Sequence, residues 1–266
     1  MQNHKAISQA IYDQLKKAQD ILIVCHQKPD GDALGSNLAL TNYLIKQKKN
    51  VTSFCLDPVP ANLKFLPNSH LLTTDHLTFS KKYDVLIVVD SGTLDYAGID
   101  RLVTALVPGH TMIVIDHHPT NPHYGDINLV IGDASATAEI IYRLLKDWQI
   151  DWHEDIVTPL ACGILTDTGG LKNAGTSYRA LKIMAELANL GANLFKITDL
   201  SLNNYNLNNL KVWGRALERL QKIESYDLVF TYLLPEDFSD FEVDDSAVEG
   251  IASFLNTLKE GEIILV

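Results

Sequence analysis

The sequence of 266 residues is poor in cysteine, in long apolar runs and in positive charge, and each shortage excludes a class of protein. It contains only three cysteines, Cys25, Cys55 and Cys162, which argues against a disulfide framework and for free thiols in a reducing compartment. No apolar run approaches the roughly 20 residues that a membrane span needs, and no signal peptide is visible. We therefore expect a cytoplasmic protein with no membrane partner.

The shortage of positive charge limits the partners of the chain. Against 33 Asp and Glu there are only 22 Lys and Arg, which gives a formal net charge of -11. Long nucleic acid is held through many phosphate contacts, so this composition argues against tight binding of a long strand. A small phosphorylated substrate is still compatible with it, because a divalent cation can supply positive charge locally.

What the sequence does have is a regular alternation of short apolar runs and helical patterns. Strands are predicted at residues 21–25, 51–56, 85–89 and 112–115. Helices are predicted after Ser36 and at residues 99–107, 135–148 and 155–167. This order predicts an α/β fold with a mostly parallel open sheet flanked by helices, followed by a helical linker and a partial second α/β domain.

The domain limits follow from the Asn-rich stretch at residues 203–209, which interrupts a helical pattern that extends from residue 176 to about residue 220. We predict a metal-binding catalytic domain over residues 1–200 and a helical linker over residues 201–221. The remaining residues, 222–266, are predicted to form a second domain.

Imidazoles and carboxylates follow directly after three of the predicted strands. These residues are His26, Asp30 and Asp32 after the first strand, Asp90 after the third, and Asp116, His117 and His118 after the fourth. In parallel sheets, ligands bind beyond the carboxyl ends of the strands, so we expect these side chains along one edge. Neutral imidazole and carboxylate together suit Mn²⁺, Zn²⁺ or Mg²⁺.

Each segment taken alone also has a structural interpretation. Pro29 to Asp32 is rich in turn-forming residues, and Asp90 resembles an ordinary strand-end cap. Asp167 is predicted at the carboxyl end of a helix, where a carboxylate costs roughly 0.3–1 kcal/mol, and by itself it is a weak signal. A helix needs only one capping carboxylate, however, and packing does not easily explain two adjacent histidines.

Taken together, the residues predict two divalent cations about 3.5–4 Å apart that share one carboxylate and activate a water for in-line phosphoryl transfer. Asp90 is the predicted bridge and has a catalytic role. The predicted ligands are His26, Asp30 and Asp90 for one metal, and Asp32, Asp90, His117 and Asp167 for the other. His118 is predicted to be catalytic and substrate-binding, as a charged donor to the phosphate or the leaving group.

Four motifs in this chain resemble those of the DHH phosphoesterase superfamily. They are His26-x3-Asp30-x-Asp32 with Gly35-Ser36, Val88-Val-Asp90-Ser-Gly92, Asp116-His-His-Pro119 and Gly163-Ile-Leu-Thr-Asp167-Thr-Gly169. Within the superfamily the chain is most similar to NrnA-like enzymes of the oligoribonuclease and 3′-phosphoadenosine 5′-phosphate phosphatase type. The resemblance extends over about residues 5–260.

The resemblance implies a phosphoesterase that acts on short oligoribonucleotides or 3′-phosphonucleotides. It also implies two divalent metal ions as cofactors, with Mn²⁺ expected and Mg²⁺ or Co²⁺ as alternatives. The alternatives are a linear or cyclic dinucleotide phosphodiesterase and a nucleotide-binding module with little turnover. Relatives carry a Gly-rich GGGH-type motif in a C-terminal DHH-associated substrate-binding domain, and none occurs before Val266. We therefore expect residues 222–266 to be the first part of that domain, apparently truncated, and turnover to be weak. Oligomeric state stays open, a homodimer included.

Overall fold

The computed structural model describes residues 2–203, 206–243, 245–248, 250–255, 258–259, 261 and 263–265. The chain divides into two compact units, Met1–Asn203 and Asn204–Val266. Within the Asn-rich stretch that marks the predicted boundary, residues 204 and 205 lie outside the described residues. None of the described helices combines the length and apolar character needed to cross a membrane.

The first unit is built on a six-stranded sheet in the order β3-β2-β1-β4-β5-β6. All neighbouring strands are parallel, which confirms the predicted fold class. The strands are β1 (Asp20–Val24), β2 (Asn50–Phe54), β3 (Leu72–Thr73), β4 (Val85–Val89), β5 (Thr111–Asp116) and β6 (Ile127–Val130). The four predicted strands agree with β1, β2, β4 and β5 to within two residues. The short edge strands β3 and β6 were not predicted.

Both faces of the sheet are apolar, because successive side chains of a strand point to opposite sides. In β1, Ile21 and Ile23 enter one buried cluster, which helices of the first unit cover. Leu22 and Val24 enter a second cluster on the other face. That second face is covered by turns between residues 76 and 106, which contribute Phe79 and other apolar side chains.

Helices of the first unit are α1 (Gln2–Lys17), α2 (Gly31–Lys46), α3 (Thr137–Asp147), α4 (Glu154–Asp167), α5 (Tyr178–Asn189) and α6 (Leu194–Ser201). The helix predicted at residues 99–107 is wrong, because only a short 3-10 turn, Val103–Ala105, forms there. Ile99 and Leu106 pack into the second cluster from this irregular segment. The helical spacing of apolar residues therefore reflects burial by successive turns and not a helix.

The second unit contains α7 (Leu207–Glu218), β7 (Gln221–Ile223), β8 (Leu228–Phe230), α8 (Pro235–Ser239), α9 (Ile251–Leu255) and β9 (Ile263–Leu265). Strand β8 pairs antiparallel with β7 and parallel with β9. A small buried cluster forms around Ala216, Ile251 and Leu255. Positions 249, 256, 257 and 266 lie outside the described residues.

Candidate metal centre

Two glycines let α2 and α4 pack closely at the carboxyl edge of the six-stranded sheet. A Cβ on Gly35 would lie 2.4 Å from the carbonyl oxygen of Pro159, and one on Gly163 would lie 2.7 Å from Asp32 Oδ1. Both approaches are too close for any residue other than glycine without a shift of the helices. This packing brings Asp32, in the first turn of α2, to α4, which ends at Asp167.

The cap of α2 holds the first carboxylate of the centre. Asp30 is the N-cap, and its Oδ1 accepts hydrogen bonds from the backbone N–H groups of Asp32 at 2.9 Å and Ala33 at 3.0 Å. Burial by itself raises the pKa of Asp30, but the neighbouring His26 and the hydrogen bonds from the helix backbone outweigh it and lower the pKa. Asp30 is therefore held as a carboxylate.

Asp90 lies between two histidines and offers one carboxylate oxygen to each. Its Oδ2 is 3.6 Å from His26 Nε2, and its Oδ1 is 3.7 Å from His117 Nε2. His26 Nε2 is also 3.7 Å from Asp30 Oδ1, and His117 Nε2 is 3.7 Å from Asp167 Oδ2. The arrangement has the form that two cations sharing one carboxylate require.

The backbone of Asp90 is itself unusual. This residue directly follows β4 and has a φ of +54°, in the left-handed region that non-glycine residues seldom adopt. Its Oδ1 accepts a hydrogen bond from Thr137 Oγ1 at 2.9 Å, and its N–H donates to the Ile115 carbonyl at 3.0 Å. Strain of this kind persists where surrounding contacts fix the residue, and here they aim a buried carboxylate out of the sheet edge.

The two histidines beside Asp90 are oriented in the same way. Nδ1 of His26 lies 2.7 Å from the Gln27 carbonyl oxygen, and Nδ1 of His117 lies 3.3 Å from the Ala134 carbonyl oxygen. A carbonyl can only accept, so Nδ1 carries the proton in each ring. In the neutral imidazole, Nε2 then keeps its lone pair toward the carboxylates, as in metal-ligating histidines.

Asp32 and Asp167 are carboxyl groups whose pKa values are raised by their surroundings. Asp32 is 1% exposed and accepts hydrogen bonds at the start of α3, from the N–H groups of Thr137 at 2.6 Å and Ala138 at 2.9 Å. Burial, and then the charges of neighbouring carboxylates, raise the pKa of Asp32. Burial raises the pKa of Asp167 to about 6, with His117 opposing the shift and Asp90 adding to it. Such a cluster favours a cation in its midst.

His26 supplies positive charge when no cation is bound. Burial alone would lower its pKa, but the neighbouring carboxylates of Asp30 and Asp90 raise the pKa to about 11. A proton therefore has to leave His26 before its Nε2 can bind a metal ion.

His118 faces a different partner from His117. Its Nδ1 donates to Oδ1 of the fully buried Asp116 at 2.7 Å, and Asn121 Nδ2 donates to Oδ2 of the same carboxylate at 2.7 Å. The hydrogen bond to Asp116 is the main cause that raises the pKa of His118. Asp116 thus orients the ring and favours its charged form, and Nε2 makes no hydrogen bond to any described residue.

Every residue predicted from the sequence to bind metal or to act in catalysis lies in this cluster. Close groups of ligand atoms, each within 4.8 Å, are formed by His26, Asp30 and Asp90, by Asp32, His117 and Asp167, and by Asp90, His117 and His118. The carboxylate and imidazole donors fit Mn²⁺, Mg²⁺ or Zn²⁺. That they bind a metal ion stays a prediction.

Three residues near the centre were not found by sequence reasoning. Thr137 and Asn121 hold Asp90 and Asp116 through hydrogen bonds that no spacing in the sequence indicates. Tyr96 has its ring centroid 5.2 Å from that of His26 and 6.3 Å from that of His118, and the residue is 51% exposed. Tyr96 is an aromatic residue in the polar loop that follows the predicted strand at 85–89, and this position could have indicated a functional role.

Comparisons with known proteins agree with the motifs and the geometry. The model of the "DHH family, N-terminal domain" matches residues 20–164. The chain is 33% identical over 246 residues to the bifunctional oligoribonuclease and PAP phosphatase NrnA of Thermus thermophilus. This match covers 92% of the chain and 71% of that relative. It is 28% identical over 265 residues to a probable manganese-dependent inorganic pyrophosphatase of Streptococcus equi subsp. equi, covering 92% of this chain and 73% of that one.

Among solved structures, an exopolyphosphatase-related protein from Bacteroides fragilis has a similar fold. The TM-score is 0.86 at 25% sequence identity, over 96% of this chain and 77% of that chain.

Proposed function

Since the chain belongs to the DHH family, we propose that it is a metal-dependent phosphoesterase that hydrolyses short oligoribonucleotides or 3′-phosphonucleotides. The observation that carries the proposal is the position of Asp90, whose two oxygens face His26 Nε2 and His117 Nε2 at 3.6 and 3.7 Å. The name of the Thermus thermophilus relative, an oligoribonuclease and PAP phosphatase, supports the substrate class.

We propose that the centre holds two divalent cations, with Mn²⁺ favoured. His26, Asp30 and Asp90 would hold one, and Asp32, Asp90, His117 and Asp167 the other. When bound, the cations would supply a hydroxide nucleophile at neutral pH and offset negative charge on the phosphoryl oxygens. The relative named as a manganese-dependent pyrophosphatase supports the choice of metal.

The chain's own residues would supply the remaining chemistry. In the proposed reaction a water loses one proton to solvent and its oxygen bonds to phosphorus, the bond from phosphorus to the ester oxygen breaks, and that oxygen takes up a proton. His118 is the proposed donor, because Asp116 keeps Nδ1 occupied and favours the charged ring, so that Nε2–H can reach substrate. Asp116 is then a positioning residue that acts through His118.

Tyr96 is a proposed contact for the substrate base. Its ring lies beside His26 and His118 and half of the residue is exposed, which leaves a face on which a base can stack. The net charge of -11 favours a short substrate, whose few phosphates the proposed cations could neutralise. We further propose that residues 222–266 belong to a DHH-associated substrate-binding domain, which their separate small sheet supports.

The proposal is tested with the purified chain, freed of metal and then supplied with Mn²⁺. The substrates are a 5′-phosphorylated diribonucleotide, 3′-phosphoadenosine 5′-phosphate, a cyclic dinucleotide and pyrophosphate. We expect turnover of the first two, dependent on Mn²⁺ and lost in Asp90→Asn. Turnover that survives Asp90→Asn, or none with any substrate, would contradict the proposal, and preference for the cyclic dinucleotide or pyrophosphate would change the substrate class.

A further inference from the structure

A pocket lies at the edge of the sheet opposite the metal centre, where the strands begin. It occupies about 230 Å³ beside the carboxyl ends of α1, α2 and α3. Three aromatic rings, Tyr12, Tyr43 and Trp148, form much of its wall, and the polar lining is Lys16, Gln47 and Lys49. Helix α2 carries Asp32 at its start and Tyr43 near its end, so the pocket is roughly 16 Å along the helix axis from the metal centre.

The three rings are held together without being stacked on one another. The centroid of Trp148 is 5.4 Å from that of Tyr12 and 5.7 Å from that of Tyr43, with interplanar angles of 53° and 38°. Trp148 is fixed by its Nε1–H, which donates to the Ser8 carbonyl oxygen at 3.3 Å. Tilted rings of this kind leave faces on which a planar ligand can pack.

Several polar groups in the pocket have no partner. The hydroxyls of Tyr12 and Tyr43 and the side-chain amide of Gln47 make no hydrogen bond to any other residue that the structure describes. Burial, with a smaller contribution from Tyr12, raises the pKa of Tyr43, which keeps its phenol protonated. Tyr43 is buried, Tyr12 is half-buried and Gln47 is exposed, and the donors and acceptors that they leave unbonded can pair with a ligand that has polar edges.

The charge of the lining is opposite to that of the protein as a whole. None of the described residues that line this pocket is a carboxylate, although the chain carries a net charge of -11. Nζ of Lys49 is fixed by donating to the carbonyl oxygens of Lys16 at 3.0 Å and Ala18 at 2.5 Å. An ammonium has three donors, so one remains for an anion. Lys16, whose side chain is exposed, also lines the pocket.

We propose that this pocket is a second nucleotide site, which binds a mononucleotide with its base against the three rings and its phosphate at Lys16 and Lys49. The volume is below the roughly 300–1,000 Å³ of pockets that enclose a whole drug-sized ligand, so the base is enclosed and the phosphate lies at the mouth. Stacking on aromatic rings tolerates any base, and the unpaired phenols and amide can meet its polar edge. The site needs no metal and does not depend on the proposed reaction.

The test is a titration of the full chain in EDTA with adenosine 5′-monophosphate, adenosine and ribose 5-phosphate, followed by tryptophan emission and by calorimetry. We expect the monophosphate to bind most tightly and to change the tryptophan emission. This change should disappear in Trp148→Phe. Lys16→Glu should weaken its binding about tenfold, because a charge-assisted contact is lost. The matched control is Lys17→Glu, an exposed neighbour outside the pocket, which should leave binding unchanged.

Three outcomes would overturn the proposal. They are no binding of the monophosphate, equal weakening by Lys16→Glu and Lys17→Glu, and equal affinity for the monophosphate and either of its two parts. Because the titration is made without metal, failure of the hydrolysis assay does not affect its result.

Discussion

The two edges of the six-stranded sheet have opposite chemistry, although one helix, α2, runs from one to the other. At the carboxyl edge, carboxylates and imidazoles converge at 3.6–3.7 Å, and the pKa values of Asp32 and Asp167 are raised. At the amino edge, the pocket is lined by aromatic rings and lysines without a carboxylate among its described lining residues. Buried carboxylates therefore converge at the carboxyl edge, where a cation is proposed to offset their charge, and none lines the pocket at the amino edge.

The largest expected effect is that of Asp90→Asn. Asn keeps an acceptor for Thr137 Oγ1 but loses the charge that two cations would share. We expect turnover of the diribonucleotide to fall at least about 10³-fold, which is ~4 kcal/mol of activation free energy. In the same variant, binding of adenosine 5′-monophosphate at the amino edge should be unchanged. Loss of both would contradict the independence of the two edges.

A smaller effect is expected from Asp116→Asn, which touches the centre only through His118. Removing an orienting carboxylate of this kind costs about 10- to 100-fold in activity. Because Asp116 raises the pKa of His118, its loss should also move the alkaline limb of the pH–rate profile to lower pH. The control is Asn121→Ala, which removes the hydrogen bond to Oδ2 but keeps the carboxylate. An unchanged pH profile in Asp116→Asn would show a purely structural role.

Gly163→Ala tests the helix packing that forms the carboxyl edge. The new Cβ would meet Asp32 Oδ1 and Ala138 Cβ, both at 2.7 Å. Overpacking of this kind should lower the free energy of unfolding by about 1–3 kcal/mol, measured in urea, and weaken Mn²⁺ binding. The matched control is Gly214→Ala in α7, where a Cβ meets nothing within 4 Å. Equal effects of the two substitutions would refute the close-packing argument.

The smallest of these effects is expected in the pH dependence of metal binding. In the metal-free chain, His26 has a pKa of about 11, so its stabilising contribution is complete below about pH 6.5 and is lost as the pH rises through 11. Asp167 has a pKa raised to about 6, so the metal-free fold loses stability as the pH rises from about 4 to 6. Bound cations would displace these protons and reverse both trends.

Mn²⁺ affinity should therefore rise with pH, by about tenfold per pH unit for each proton displaced. The measurement is the increase in Tm at a fixed Mn²⁺ concentration, which should be larger at about pH 8 than at about pH 6. In Asp167→Asn the part of this dependence near pH 6 should disappear. A Tm increase that does not depend on pH would mean that these groups do not bind the ion.

The sequence allowed the parallel sheet and the residues of the carboxyl edge to be predicted, because the apolar runs of β1, β4 and β5 end directly in His26, Asp90 and the residues after Ile115. A buried strand leaves its next side chain at the sheet edge, and parallel direction brings those edges together. The segment at 99–107 was predicted wrongly, because a turn-rich cover and a helix can bury apolar side chains at the same spacing.

Other features could not be predicted, because they depend on contacts between distant segments. The hydrogen bond from Thr137 to Asp90 joins the start of α3 to the end of β4. The pocket at the amino edge brings Tyr12, Tyr43 and Trp148 together from the ends of three helices, and no local pattern marks them as neighbours. Edge strand β3 has two residues, too few for a periodic signal.

The central claim is that two cations share Asp90, and anomalous diffraction at the manganese edge, from crystals of the full chain grown with Mn²⁺, tests it most directly. We predict two peaks about 3.5–4 Å apart, one beside His26 and Asp30 and the other beside His117 and Asp167, each with an oxygen of Asp90 as ligand. A single ion, or two ions that do not share Asp90, would contradict the account.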